Sequence, residues 1–353
     1  MKLPTNYLES VNQLTYFIAD IAANHDGDLL RAKKLIGLAA ESGANAAKFQ
    51  NFRAETIVSR KGFQELGRKI AHQESWKKEV FDIYKDAELP IEWTETLMQT
   101  CSDFGIDYFT SPYDLNFVEF FADKIPFFKI GSGDITWFDS ITLMASYGKP
   151  VLLATGASTM EEIKAAVDVI DSHGAPLILM QCNTNYTGSQ DNFDFLNILA
   201  LEKFKTNFPQ AVLGLSDHSP GHISVLGAVA LGARVIEKHF TDDVTRTGPD
   251  HGFSLDPITW KEMVDSTRLL ERALGNGIKK IELNEMDSRI VQRRALRYKS
   301  GMENGSQVTK NDLIALRPCP ENGLSPFEIP KILGRKLNVS VLVDQLVQLS
   351  DFE

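Results

Sequence analysis

Eight short apolar runs, each followed by a longer stretch of helical character, limit what this 353-residue chain can fold into. They are Tyr16 to Ile21, Ala44 to Gln50, Ile106 to Ser111, Phe127 to Ile130, Pro150 to Thr155, Leu177 to Gln181, Val212 to Ser216 and Arg234 to Lys238. The stretches between them space apolar residues at the helical period, as in Asp28 to Glu41, where Leu29, Leu30, Ala32, Leu35, Ile36 and Ala39 recur at about three to four residues, the period of one helix face. Strands alternating with helices imply a parallel sheet, and eight repeats imply closure. The predicted fold is therefore α/β, a (β/α)8 TIM barrel. An open doubly wound sheet is the alternative, but no Gly-x-Gly-x-x-Gly fingerprint follows the first run.

The pattern changes after the last helical stretch, Pro257 to Leu274. Gly275 to Arg293 is charged, and beyond it short alternating segments are broken by Gly301, Gly305, Pro318, Pro320, Gly323 and Pro326. We expect a barrel over residues 1–283, a linker over 284–293 and a small β-rich domain over 294–353. A unit that small buries a limited core, so it is expected to dock on a barrel, that of a partner subunit included.

Charge excludes some functions. The chain carries a net −10 with no concentrated block of Lys and Arg, which argues against nucleic acid and anionic membrane as partners. No apolar run approaches the roughly 20 residues that span a bilayer, and the polar segment Met1 to Gln13 lacks the cationic and apolar parts of a secretory signal. Cys101, Cys182 and Cys319 are odd in number and widely spaced, as in a reducing compartment. The expected location is cytoplasmic.

The last two barrel runs end in histidines, His218 in Gly214-Leu-Ser-Asp-His218 and His239 in Val235-Ile-Glu-Lys-His239. The seventh and eighth strands of a barrel are neighbours, so both imidazoles reach one rim, where barrel enzymes do chemistry, and can share a divalent metal. The alternative is a pair of hydrogen-bonded structural histidines. His25, in Asn24-His-Asp-Gly27, is either a third ligand or a turn residue, and His251 is a weaker candidate still.

Lys48 and Lys129 lie within apolar strands, where an ammonium is costly unless it meets an anion. With Ser132, Thr155 and Ser216 near other strand ends, they outline a site for phosphate and carboxylate. Asp20, Asp134 and Glu237 are carboxylates at or within apolar strands, suited either to pairing with those lysines or to proton transfer.

Taken in order, several blocks resemble the sialic acid synthase family, which condenses phosphoenolpyruvate with an N-acylated hexose. They are Ile18-Ala-Asp-Ile-Ala-Ala-Asn-His-Asp-Gly27, Ala47-Lys-Phe-Gln50, Thr110-Ser-Pro112, Phe128-Lys-Ile-Gly-Ser-Gly133, Ala154-Thr-Gly156, Gly214-Leu-Ser-Asp-His218, Ile236-Glu-Lys-His-Phe-Thr241, Gly248-Pro-Asp-His251, Leu316-Arg-Pro318 and Glu321-Asn-Gly323. The resemblance implies a barrel followed by an antifreeze-like (SAF) domain, in a homodimer that exchanges the small domains. It implies a divalent metal, Mn2+ or Mg2+, on His218 and His239, and phosphoenolpyruvate on Lys48, Ser111, Lys129, Ser132 and Ser216. Tyr186 and Asp250 fall at sugar-contacting positions, and Arg317 matches an arginine supplied by the partner subunit. The product would be a nine-carbon nonulosonic acid. Asp20 and Asp134 are the candidate catalytic carboxylates.

Other readings are another enol phosphate synthase making a shorter 3-deoxy acid, or a non-catalytic sugar-binding homologue. The chain departs from the family where Glu is usual and Asp20 and Asp134 stand, at Gln181-Cys-Asn183 in place of His-Cys-Thr, and at Tyr186-Thr187 in place of Tyr-Pro. These four changes are expected to cluster at the sugar and to alter its specificity.

Overall fold

The computed structural model describes residues 14–67, 73–74 and 76–353; the N-terminal segment read above for a secretory signal, 1–13, lies outside them. The eight runs form strands β1 (Tyr16–Asp20), β2 (Ala46–Asn51), β3 (Asp107–Pro112), β4 (Phe128–Ile130), β5 (Val151–Ala154), β6 (Leu177–Cys182), β7 (Val212–Asp217) and β8 (Val235–His239). All are parallel, in the order β3-β2-β1-β8-β7-β6-β5-β4. The terminal strands β3 and β4 lie side by side, with Phe109 and Phe127 rings 4.4 Å apart, so the sheet is a nearly closed TIM-type barrel.

Local sequence explains the helices around it. Asp28 caps Leu29–Glu41 by accepting from the Leu30 and Arg31 amides, and the helix buries Ala32, Leu35, Ile36 and Ala39 against the strands. Thr159 and Glu162 form a capping box ahead of Met160–Ser172. Asp256 caps Pro257–Leu274, whose first residue is a proline with no amide left to satisfy.

The strands β7 and β8 run one residue past the apolar runs that mark them. Lys238 Nζ lies 2.6 Å from Asp217 Oδ2 across the two strands and also donates to the Ser219 carbonyl, while Ser224 donates to the same carboxylate. Both charges are almost wholly buried, and their mutual pairing is what makes such a polar strand end tolerable.

Register decides what meets inside. Asp20 stands opposite Lys48 on one side and opposite His239 on the other, and Ser216 stands opposite Glu237. Because side chains alternate along a strand, Glu237 joins His239, and Ser216 joins His218, on the inner face.

The chain divides into two compact units, one ending at Gly275 and one from Asn276 to Glu353. The first α-helix of the second is Met286–Gln292, and an antiparallel pair follows, β9 (Ala295–Tyr298) with β10 (Leu313–Leu316). Isolated bridges such as Met302 with Val341 and Leu337 with Phe352 complete it around Leu296, Tyr298, Val308, Leu313 and Val347. Among the described residues no helix is long and apolar enough to cross a membrane.

Candidate active site

A cavity of about 310 Å³ opens at the carboxyl ends of the barrel strands. Of the residues singled out from sequence, Asp20, Lys48, Lys129, Ser132, Asp134, Tyr186, Ser216, His218, His239 and Asp250 all line it. Ser111 does not; it is buried beside Gln50 in the β2–β3 register, off the cavity surface. Arg317 belongs to the second unit, exposed, its Nε donating to the Gln292 carbonyl at 2.6 Å.

The floor is ionic. Lys48 Nζ lies 2.6 Å from Asp20 and 3.5 Å from Glu237, and Lys129 Nζ lies 3.5 Å from the same Glu237 oxygen. Burial works against the charge on Lys48, but the Asp20 and Glu237 carboxylates outweigh it and hold its pKa above the ordinary lysine value. Asp20 also accepts from Gln50 at 3.1 Å and lies 3.4 Å from His239 Nε2, so it is held from three sides. Two acidic groups stand apart from this cluster. Burial lifts Asp134 to about 6, with Lys129 opposing, and lifts Asp250 to about 7, with the Ala23 amide opposing.

The two imidazoles converge, their ring centroids 5.4 Å apart, between Tyr186 at 4.3 Å from His218 and Phe253 at 4.8 Å from His239. Burial keeps both pKa values below the ordinary histidine value, so both rings are neutral near pH 7 and carry a lone pair. His218 Nδ1 donates to the Asn183 carbonyl at 2.9 Å, which turns its Nε2 lone pair outward. His239 Nδ1 is buried with no partner, as are Glu237 Oε2 and Ser111 Oγ. Unpartnered polar atoms are uncommon in a folded interior and point to a ligand. Two imidazoles on one cation, each at about 2.1 Å, place their centroids roughly 5 Å apart, so this pair fits a shared ion. Among the described residues no group of three or more His, Cys, Asp and Glu is arranged to hold a metal. The donor set is the histidine pair, with open positions for oxygen ligands.

His25 is not part of it. Its Nδ1 accepts from the Gly27 amide, its ring packs edge-on to Trp93, and burial lowers its pKa to about 4. His251 is a latch, contacting Thr241 at 2.7 Å and Asp26 at 2.9 Å, which fixes the loop that carries Asp250. The expected clustering of departures at the sugar is corrected in part. Asp20 and Asp134 line the cavity, whereas Gln181 and Asn183 donate to the Leu196 and Phe195 carbonyls and the Thr187 amide donates to Asn185, all three organising the loop after β6.

Sequence reasoning passed over several lining residues. Gln50 follows Lys48 on the inward face of β2 and was accessible by alternation. Trp76 and Tyr84 were not, because they arrive from a segment with no strand signal.

Residues 35–279 match the NeuB family. The chain is 35% identical over 332 residues to the N,N'-diacetyllegionaminic acid synthase of Legionella pneumophila, covering 92% of this chain and 91% of that one. It is 31% identical over 333 residues to the N-acetylneuraminate-9-phosphate synthase of Homo sapiens, covering 94% and 91%. The crystal structure of N-acetylneuraminic acid (sialic acid) synthetase from Leptospira borgpetersenii superposes with a TM-score of 0.68 at 29% identity, over 78% of this chain and 90% of that one.

Proposed function

The chain belongs to the NeuB family, and on that premise we propose that its barrel cavity is where phosphoenolpyruvate is joined to an N-acylated amino sugar, giving a nonulosonic, sialic-type acid and phosphate. One observation carries the reading: two buried ammonium groups and two neutral imidazoles face the same enclosed space. Lys48 and Lys129 neutralise the phosphate and carboxylate of the enol phosphate, and Ser132 and Ser216 offer hydroxyls to the same oxygens. Ser111, whose Oγ is buried without a partner beside Gln50, offers a third hydroxyl. Tyr186 and Asp250 face the acceptor sugar.

Family membership brings a divalent-metal-dependent mechanism. His218 and His239 are the residues that would hold the ion, Mn2+ or Mg2+, which when bound supplies Lewis-acid polarisation of the acceptor's aldehyde oxygen. The protein's own groups do the rest. The lysines fix the enol phosphate so that its carbon three meets the aldehyde carbon in near-attack geometry. Asp20 holds Lys48 in place, and Asp134 accepts a proton from the water that adds to carbon two. Phosphate then leaves by carbon–oxygen cleavage.

The test uses purified protein with Mn2+, a panel of N-acylated hexoses and phosphoenolpyruvate labelled with 18O at the bridging oxygen. Labelled phosphate and a nine-carbon acid by mass spectrometry are the expected result. Absence of phosphate from folded, metal-loaded protein with every acceptor overturns the reading.

We assign Arg317 to the cavity of a partner subunit in a homodimer that exchanges its small units. Charge supports the docking: residues 276–353 hold twelve Lys and Arg against ten Asp and Glu, leaving 25 against 37 for the remainder. So do exposed apolar side chains at Ile278, Leu283 and Val291, in the segment that opens the small unit. Arg317→Ala should raise the acceptor KM about tenfold or more while leaving that of phosphoenolpyruvate unchanged. Mixing it with a Lys48→Met protein should restore activity toward about a quarter of the native rate, because half the dimers then hold one complete site. No rescue would assign the arginine to its own chain. Free thiols at Cys101, Cys182 and Cys319 support a cytoplasmic setting for the reaction.

A further inference from the structure

The two imidazoles of the cavity are held at their 5.4 Å spacing by different means. His239 is the last residue of β8; it stands opposite Asp20 of β1, and its carbonyl accepts from the Leu255 amide. His218 lies past the end of its strand. The β7–β8 register closes one step before it, with Asp217 opposite Lys238. Here a single side chain takes over from the ladder. Lys238 Nζ donates to Asp217 Oδ2 at 2.6 Å and to the Ser219 carbonyl at 2.7 Å, so it grips the residues on both sides of His218. The Asp217 carboxylate ties the same turn together. Its Oδ1 accepts from the Ser219 amide at 3.0 Å, and its Oδ2 accepts from the Ser219 hydroxyl at 2.9 Å and from the hydroxyl of Ser224, in the helix Ile223–Ala230, at 2.5 Å. Asp217 and Lys238 are almost wholly buried, and neither lines the cavity, because alternation turns both away from the inner face.

We propose that Lys238 is a positioning residue for the metal site: reaching from the strand that carries His239, it brackets His218 and so sets the spacing of the imidazole pair and its affinity for a divalent cation. The inference rests on the metal assignment above and goes beyond it to a residue that touches neither ion nor substrate. Burial alone does not account for the pair, since apolar side chains of similar volume often replace a buried ion pair with no loss of stability. Apolar side chains offer no donor to the Ser219 carbonyl, and the turn that carries His218 would then be tied to β8 by nothing at that point. The hydrogen bond from His218 Nδ1 to the Asn183 carbonyl fixes the rotation of the ring, and Lys238 fixes the backbone from which the ring projects. Both are needed, because a metal site tolerates ligand displacements of only about 0.2 Å.

The test titrates Mn2+ into the full chain and reads the free ion by electron paramagnetic resonance, without substrate or turnover. Lys238→Met removes both donors and keeps the length of the stem. It should weaken Mn2+ binding about 10- to 100-fold, the usual effect of losing an outer support of a metal ligand. It also leaves the Asp217 carboxylate buried without its cation, so it should lower the melting temperature. The double variant Asp217→Asn/Lys238→Met carries neither charge. Its melting temperature should recover most of that loss while its Mn2+ affinity stays low, because the Ser219 carbonyl still lacks its donor. Ser224→Ala, which takes one hydroxyl from Asp217 and alters no charge, should weaken Mn2+ about threefold. Native Mn2+ affinity in the folded double variant overturns the inference, since affinity would then merely follow stability. If that variant does not fold, Ser224→Ala decides, and an unchanged Mn2+ affinity overturns the inference. Either result leaves the synthase reading standing, because the native chain still binds the ion. Failure of the native chain to bind Mn2+ overturns the metal assignment and the inference with it.

Discussion

Replacing His239 by alanine is expected to cost about three orders of magnitude in phosphate release and to remove tight Mn2+ binding from the same preparation. The ring is one of two neutral imidazoles that converge at a 5.4 Å centroid spacing, and its Nδ1 is buried without a partner. Charge stabilisation by a bound metal is worth several kcal/mol in such reactions, which sets the rate loss. A pair of ligands also has no redundancy, since among the described residues no third His, Cys, Asp or Glu is placed to compensate. His218→Ala should behave alike. Its Nδ1 is tied to the Asn183 carbonyl, so ring orientation is fixed before any ion arrives. Calorimetric titration with Mn2+, read beside the rate, separates the ligand role from a structural one. His25→Ala supplies the contrast: that ring is equally buried but faces Gly27 and Trp93, so its loss should lower thermal stability and leave Mn2+ binding intact. Full activity of His239→Ala in metal-free buffer would remove the assignment.

The barrel was legible because its strands are buried on both faces and so appear as continuous apolar runs, several of them closed by a polar residue at the rim. The site was legible for a related reason. A charged residue inside such a run has few structural explanations, and Lys48, Lys129 and Asp20 proved to share one ionic floor. Alternation on β7 and β8 placed Ser216, His218, Glu237 and His239 on one face before any coordinates were needed. What stayed hidden depends on register and on loops. That Asp20 stands opposite both Lys48 and His239 follows from hydrogen-bonded pairing, to which no local sequence signal points. The aromatic side of the cavity, Phe52, Trp76, Tyr84 and Tyr113, comes from chain just past two strands, from the segment ahead of the helix Val80–Asp86 and from that helix, separate in sequence and without a common period. Ser111 differs: the resemblance gives it a contact with the enol phosphate, and in the fold its hydroxyl is buried without a partner, outside the cavity lining.

Asp134→Asn is expected to lower activity while raising stability at alkaline pH, a combination that a merely structural aspartate would not give. Asp134 lies in the short turn Ser132–Asp134 after β4, lines the cavity and is lifted from 3.8 to about 6 by burial, with Lys129 pulling the other way. The other groups facing it are the hydroxyls of Tyr84 and Tyr113, which stay protonated in the working range because burial raises both. A carboxylate that accepts a proton from the attacking water must be charged, so kcat should fall about tenfold per pH unit below about 6. Asparagine cannot accept that proton at any pH. The rate should drop by roughly a hundredfold to ten-thousandfold, and the acidic limb near 6 should vanish, any inflection left near 7 belonging to Asp250. Stability runs the other way. With a folded pKa above the unfolded one, Asp134 costs nothing below pH 3.8, where both states are protonated; the cost grows between 3.8 and about 6 and is complete above. That cost is up to roughly 3 kcal/mol before discounting its partial exposure and the new amide's own burial. Denaturant unfolding at pH 4 and pH 8 reads it directly: the variant should match the parent at the lower pH and exceed it at the higher. Equal stability at both, or an unchanged acidic limb in the rate, would leave the proton acceptor to be sought at Asp250.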